Sequence, residues 1–321
     1  GGGGGGSSSS GNQLSTLLGV FVPVTLAIFG VILFLRLGWV VGQAGVLGTV
    51  GLFVLGYLVV TLTTLSISAV ATNGTVKGGG AYFMISRSLG AEFGGSIGMI
   101  LYLAQVFATA LYVIGFVEAL AASFGTSGGA YVQALPNESR WWLFLYGSVL
   151  LFLCLVVCLV GAKLFAMSSF LIFVALMVAT ASVFFSFAFA RPFVAAPPAN
   201  VVYTSWSLSS LAENLLPHYT VDTSQASLPE QNFRTVFGVL FPACTGIMAG
   251  ANMSGDLKNP SHSIPTGTLY ALGATFVTYV LLAVCIGATV TRHTLEWQFG
   301  VLQYASLAPP LVTAGIFCAP G

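Results

Sequence analysis

The sequence predicts an all-α polytopic membrane fold. Three observations carry that prediction: charge is scarce, apolar stretches long enough to cross a bilayer recur, and two of those stretches are interrupted by proline and glycine. Only 5% of the 321 residues are charged, whereas 56% are hydrophobic. A soluble domain carries roughly 25% charged residues, because its surface meets water. A chain so poor in charge turns most of its outside toward lipid, and the mean hydropathy of +0.95 agrees. The net charge of +1 offers no basic face for nucleic acid.

A bilayer core of about 30 Å needs about 20 apolar helical residues to cross it. Segments that meet this test run roughly 17–41, 46–70, 95–123, 141–162, 164–190, 235–253 and 266–290. An eighth begins near Leu311 and stops at Gly321, so the chain reads as truncated to about seven helices plus part of an eighth. Residues 1–13 read as a flexible Gly/Ser-rich segment with no cleavable signal pattern. Residues 191–233, with Pro192, Pro197, Pro198, Pro217 and Pro229, acidic Glu213, Asp222 and Glu230, and no lysine, read as an exposed extracytosolic loop. A second polar loop, about 124–140, carries Asn137-Glu138-Ser139, a glycosylation acceptor pattern at Asn137. Lysines and arginines divide between the two sides, so the positive-inside rule does not decide the orientation.

The interruptions carry most of the functional information. The first span contains Pro23 and then Ala27-Ile28-Phe29-Gly30-Val31-Ile32. The sixth reads Phe241-Pro242-Ala243-Cys244-Thr245-Gly246-Ile247-Met248, with Gly250 and Gly255 beyond. Proline removes a helical hydrogen bond, and glycine eases departure from helical geometry. Non-helical backbone survives at membrane depth only where protein or a water-filled cavity satisfies it. Broken helices at corresponding positions of two inverted repeats are used by secondary transporters to bind ions. The spacing makes spans one and six the first helices of two five-helix units, 14–190 and an incomplete 234–321. Simple proline kinks with close glycine packing are the plainer alternative.

Other candidates have plain readings too. Gly90, Gly94 and Gly98 form a small-residue row suited to helix packing. Cys154, Cys158, Cys244, Cys285 and Cys318 lie in apolar stretches and read as packing residues, and His218, His262 and His293 lack metal-site spacing. Tyr112 either packs or supplies an oxygen. Glu118 is expected to reach the interface or pair with Arg36, and Asp256 and Lys258 either close a gate or solvate a loop. No Ser–His–Asp or paired-carboxylate constellation points to enzyme chemistry. No cofactor is expected.

The runs Ser68–Gly74, Gly78–Gly90, Glu92–Gly98, Thr245–Lys258 and Ser263–Thr268 resemble the cation–chloride cotransporters. The resemblance covers about residues 14–318. It implies the amino-acid–polyamine–organocation architecture, with broken helices 1 and 6. It further implies a potassium site at residues matching Ala27, Ile28, Tyr112, Pro242 and Thr245. One chloride would lie at amides matching Gly30, Val31 and Ile32, and a second at Gly246, Ile247 and Met248. Alanine at position 27 departs from many potassium-coupled relatives, which carry asparagine there. Features around Met248–Gly255 and the short 291–306 linker are similar to the orphan and fungal vacuolar branches.

These residues together imply electroneutral symport of chloride with potassium, and possible use of sodium is left open. A vacuolar, endolysosomal or plasma membrane and a homodimer are implied as well. Two rivals stand beside this reading. One is an amino-acid or polyamine carrier of the same fold, and the other is a non-transporting regulatory subunit of a cotransporter.

Overall fold

The computed structural model describes residues 14–30, 35–73, 80–126, 134–137, 139–160, 162–194, 201–220 and 231–297. Residues 1–13, Val31, Ile32, Cys318 and the apolar segment from Leu311 lie outside the described residues.

The chain is built almost wholly from helices. A π-helical turn, Leu17–Phe21, runs into α1 (Val22–Ile28), which ends where Phe29 leaves helical geometry at φ −77° and ψ 49°. Helix α2 (Leu37–Thr72) is two helices joined at Gly45, whose φ of 68° and ψ of 170° are non-helical. Residues 37–44 therefore form the second half of the first span, and 46–72 are the second span. Then follow α3 (Gly80–Leu89), α4 (Ala91–Phe124), α5 (Arg140–Val160) and α6 (Ala162–Phe189). The loop beyond contains the two-residue strands β1 (Phe193–Val194) and β2 (Val202–Tyr203), paired antiparallel, and the short helix α7 (Leu208–Glu213). The sixth span is α8 (Phe233–Leu240), a 3-10 turn (Phe241–Cys244) and α9 (Met248–Asn252). Helix α10 (Pro260–Thr289) is the seventh span, and α11 (Arg292–Trp297) closes the described chain.

By length and composition, six helices among the described residues can cross a membrane, with Leu17–Ile28 as a shorter apolar helix. Division of Leu37–Thr72 at Gly45 reconciles this count with the seven predicted spans. The chain is a multi-pass membrane protein. Over their most apolar stretches α2 and α10 are each 44% buried, against 11% for α4 and 6% for α5. The first pair forms the centre of the described bundle and the second its edge. Val20, Leu52, Phe53, Leu240, Leu272, Tyr279 and Ile286 belong to one buried cluster at that centre. Cys244 and Cys285 are buried, whereas Cys154 and Cys158 lie exposed on α5 and do not pack within the described chain.

Small residues set the approach distances. A Cβ on Gly94 would lie 2.6 Å from Cβ of Ser86, so this glycine lets α3 fold back against α4. Gly90, at φ 97°, supplies the turn between them, so the predicted glycine row divides into a turn and packing positions.

The two ends of the bundle are tied differently. At one end the backbone of Leu14 pairs with the segment after α9: Leu14 N–H donates to Asp256 O (2.8 Å), and Lys258 N–H donates to Leu14 O (3.2 Å). Thr16 and Ser263 hydroxyls meet there at 2.9 Å. Asp256 and Lys258 thus hold the start of the first span through their backbones. At the other end, the loop after β2 satisfies helix termini. A helix leaves its first amides and last carbonyls without internal partners. Val46 and Leu47 amides, which start the second span, donate to Asn214 O (2.8 Å) and Leu215 O (3.2 Å). Asn214 is fully buried, and its Nδ2 donates to Gly287 O (2.9 Å) and Val290 O (2.8 Å) at the end of α10. Gln43 is buried and bonded twice to Thr220, through Nε2 to Oγ1 (2.8 Å) and from the Thr220 amide to Oε1 (2.9 Å).

Asn214→Ala should therefore orphan two buried carbonyls and cost on the order of 2 kcal/mol. A lowered thermal unfolding midpoint in detergent is the expected result. An unchanged midpoint would show that solvent reaches those carbonyls.

Candidate functional site

The first and sixth spans break at the same depth, and their breaks touch. Thr245 is extended (φ −85°, ψ 164°), and Gly246 follows at φ 126°, a conformation that L side chains rarely adopt. A Cβ on Gly246 would stand 2.8 Å from Cβ of Ala27, 3.0 Å from its carbonyl carbon and 3.2 Å from the Ile28 amide nitrogen. Glycine is thus required here twice, for its dihedral angles and for the close crossing of two backbones.

Beside this crossing lies a cavity of about 230 Å³. Ala27, Ile28, Gly30, Tyr112, Pro242 and Thr245 line it, with Phe107, Ala108, Leu111 and Ala243. The structure therefore brings together all five residues that the resemblance assigned to a cation site. It adds one face of α4, which carries Phe107, Ala108 and Leu111. Sequence reasoning missed these because an apolar residue on an apolar helix gives no sign of facing a cavity; the available signal was that Phe107 and Ala108 lie about one turn before Tyr112 and Leu111 beside it.

The polar atoms at this place are oxygens. Helix α1 ends at Ile28, so its last carbonyls need partners from elsewhere. Tyr112 donates its hydroxyl to Ala27 O at 3.2 Å. Thr245 donates both its amide (3.2 Å) and its hydroxyl (2.8 Å) to Pro242 O. Among the described residues no Lys, Arg, Asp, Glu or His lines the cavity, so an occupant would meet dipoles rather than formal charge from them. Among the described residues no three His, Cys, Asp or Glu side chains cluster as a metal site.

The residues assigned to anions divide. Gly30 lines the cavity, and a Cβ there would lie 2.9 Å from Cε1 of Tyr112. Its neighbours Val31 and Ile32 lie outside the described residues. Gly246 and Ile247 precede α9, and Met248 opens it, with no side-chain cap on its first turn.

Three other predicted residues sit elsewhere. Glu118, near the end of α4, pairs with Arg36 at 3.3 Å, and both remain partly exposed. Asn137 is half-buried, and its Oδ1 accepts from the Thr126 hydroxyl at 3.4 Å. His218 contacts Glu296 at 2.8 Å in the loop region rather than near the cavity.

Between the cavity and the Leu14 end, the two broken spans and α10 close on one another. Val20 fills the space: a Cβ on Gly250 or Gly267 would come within 2.6 Å or 2.7 Å of its Cγ1.

Comparison with known proteins bears on this geometry. The amino acid permease family model matches residues 19–318. The chain is 45% identical over 327 residues to solute carrier family 12 member 9 of Danio rerio, covering 96% of this chain and 36% of that protein. It is 41% identical over 301 residues to vacuolar cation-chloride cotransporter 1 of Saccharomyces cerevisiae, covering 92% of this chain and 26% of that protein. To solute carrier family 12 member 1 of Oryctolagus cuniculus it is 39% identical over 342 residues, covering 94% and 29%. The chain thus spans about a third, or less, of the length of these curated relatives.

Gly246→Ala should destabilise the fold by about 1–3 kcal/mol through strain and backbone overlap. Gly238→Ala, in the same span with nothing within 4 Å of the added carbon, should be neutral. Equal melting temperatures for the two variants would contradict the crossing described here.

Proposed function

The chain belongs to the amino acid permease family, and from that premise we propose that it forms the ion-binding half of a secondary transporter that moves chloride together with potassium. The family is one of permeases rather than enzymes. The observation that carries the reading is the cavity at the crossing of the two breaks. It gathers Ala27, Ile28, Tyr112, Pro242 and Thr245 in one place, where a few carbonyl and hydroxyl oxygens meet a largely apolar wall with no formally charged side chain among the described residues.

That lining suits a weakly hydrated monovalent cation. Carbonyl and hydroxyl oxygens replace its water, yet no buried carboxylate holds it too tightly to leave. Alanine at position 27 is compatible with this, because the atom facing Tyr112 is the backbone carbonyl. Chloride belongs at backbone amides. An uncapped helix start can receive an anion, since its first amides point outward. Gly246, Ile247 and Met248 are proposed for one chloride, and Gly30, Val31 and Ile32 for another. An uncharged cradle of this kind releases its ion readily.

Alternating access supplies the mechanism. The tie of Leu14 to Asp256 and Lys258, the Thr16–Ser263 contact and the wedge of Val20 between Gly250 and Gly267 describe one closed end. Transport requires that end to part while the other closes. Ion gradients supply the driving force in this reading. A relative named as a vacuolar cotransporter favours an internal membrane as the address, with the plasma membrane as the alternative. If the 191–233 loop is extracytosolic, Asn137, two spans earlier and so on the same side, would face away from the cytosol as a glycan acceptor.

Two results would test this. Rubidium uptake by the protein in vesicles should fall to background when chloride is replaced by gluconate. Uptake indifferent to chloride would favour an organic substrate instead. Tyr112→Phe should raise the rubidium KM about tenfold, as loss of one good oxygen ligand predicts, and an unaltered KM would remove Tyr112 from the site.

A Thr16→Cys/Ser263→Cys pair should stop turnover under oxidant and recover it with reductant, with each single variant unaffected. Undiminished uptake in the cross-linked double variant would mean that this end does not open.

A further inference from the structure

The helix break at Ile28 leaves two successive carbonyls in need of partners, and two tyrosines take them from opposite sides. Ala27 O accepts from Tyr112, which lines the cavity and is 39% exposed. Ile28 O accepts from Tyr279 of α10 at 2.9 Å. Tyr279 is fully buried and is not part of the cavity lining, so its oxygen cannot be a ligand to anything held there.

Tyr279 sits within an aromatic cluster on α10 and α2. Its ring stacks on Phe53 of α2 at 4.8 Å and 28°, and meets Phe29 edge-on at 5.6 Å and 75°. One turn earlier on α10, Thr275 accepts the hydroxyl of Tyr57 at 2.9 Å and donates to Ala271 O. The aromatic cluster thus fixes the ring, and the ring fixes the hydroxyl. Among the described residues that hydroxyl bonds the carbonyl at the break.

We infer that Tyr279 is a positioning residue for the cation: its hydroxyl anchors the Ile28 carbonyl and thereby sets the distance between the oxygens of the site. The inference rests on the symport reading above. A carbonyl has two lone pairs. Tyr279 occupies one from the buried side, which leaves the other for an ion in the cavity and holds the C=O bond in one direction. Discrimination between cations of different radius needs oxygens that do not follow the ion, and a free carbonyl at a helix end would follow it. Tyr112 can contact the ion and Tyr279 cannot. The two tyrosines therefore have separable signatures.

The test is kinetic, on the protein in vesicles. Tyr279→Phe keeps the ring and deletes the hydroxyl. The rubidium KM should rise about tenfold, the value of one hydrogen bond to a fixed acceptor. Preference for rubidium over sodium should shrink, while the chloride KM stays within about twofold on the same scale. Tyr57→Phe removes a comparable buried hydroxyl from the same aromatic cluster without touching Ile28, so its rubidium KM and cation preference should match the parent. Rubidium and chloride KM values that shift together, or an equal effect of both variants, would mean that Tyr279 only stabilises the fold. Should Tyr279→Phe fail to fold, 3-fluorotyrosine at this position keeps the shape and makes the phenol a stronger donor. A changed rubidium-to-sodium preference is then expected, and an unchanged one overturns the inference. Parent protein with chloride-dependent rubidium uptake but an unaltered Tyr279→Phe refutes this inference alone. Parent protein with no rubidium uptake refutes the symport reading, and this inference with it.

Discussion

A lipid-embedded backbone must satisfy its own hydrogen bonds, and that requirement organises everything described here. Five of the seven spans meet it in the ordinary way, by being helical. The first and the sixth do not meet it along their whole length, and each departure is answered by a specific group. Tyr112 and Tyr279 take the carbonyls at the end of α1. Thr245 folds its amide and hydroxyl back onto Pro242 O. What remains after these contacts is a small, largely apolar pocket into which a few backbone and hydroxyl oxygens are gathered. The cavity is thus the residue of an incomplete backbone rather than a hole cut into a finished one.

The same requirement explains the polar loop between the fifth and sixth spans. Its sequence, rich in proline and acidic residues, suggests a solvated excursion, and much of it is exposed. Yet Val201, Tyr203, Ser210 and Asn214 are buried. Asn214 answers the last carbonyls of α10, and its own carbonyl and that of Leu215 answer the first amides of the second span. In a membrane, where lipid gives apolar helices no reason to associate, such polar ties and close glycine contacts supply the cohesion.

Much of this was legible in the residues. Pro23, Pro242 and Gly246 announced the two breaks, and apolar length announced the spans. The division between 41 and 46 falls at Gly45, whose positive φ separates two helices that would otherwise run on. The resemblance named the five cavity-lining residues. What could not be read was three-dimensional neighbourhood. Tyr279 looks like any aromatic in an apolar helix, since nothing in its local sequence reveals that Ile28 lies 2.9 Å away. Asn214 sits in a loop whose composition argues for exposure. Glu118 and Arg36, 82 positions apart, could be suspected as a pair, but only geometry joins them.

The pairing of Leu14 with the strand-like segment around Leu257 has a mechanical corollary. The chain entering the first span and the chain leaving the sixth are joined by two backbone hydrogen bonds, and Val20 is keyed between Gly250 and Gly267. Two half-helices coupled in this way would swing as a single lever, with the breaks at Phe29 and Thr245 as the two eyes of one hinge pin. A cargo held at the proposed site would then lie beside the bend, where displacement is smallest, so a barrier could pass from one face to the other while the cargo scarcely moved.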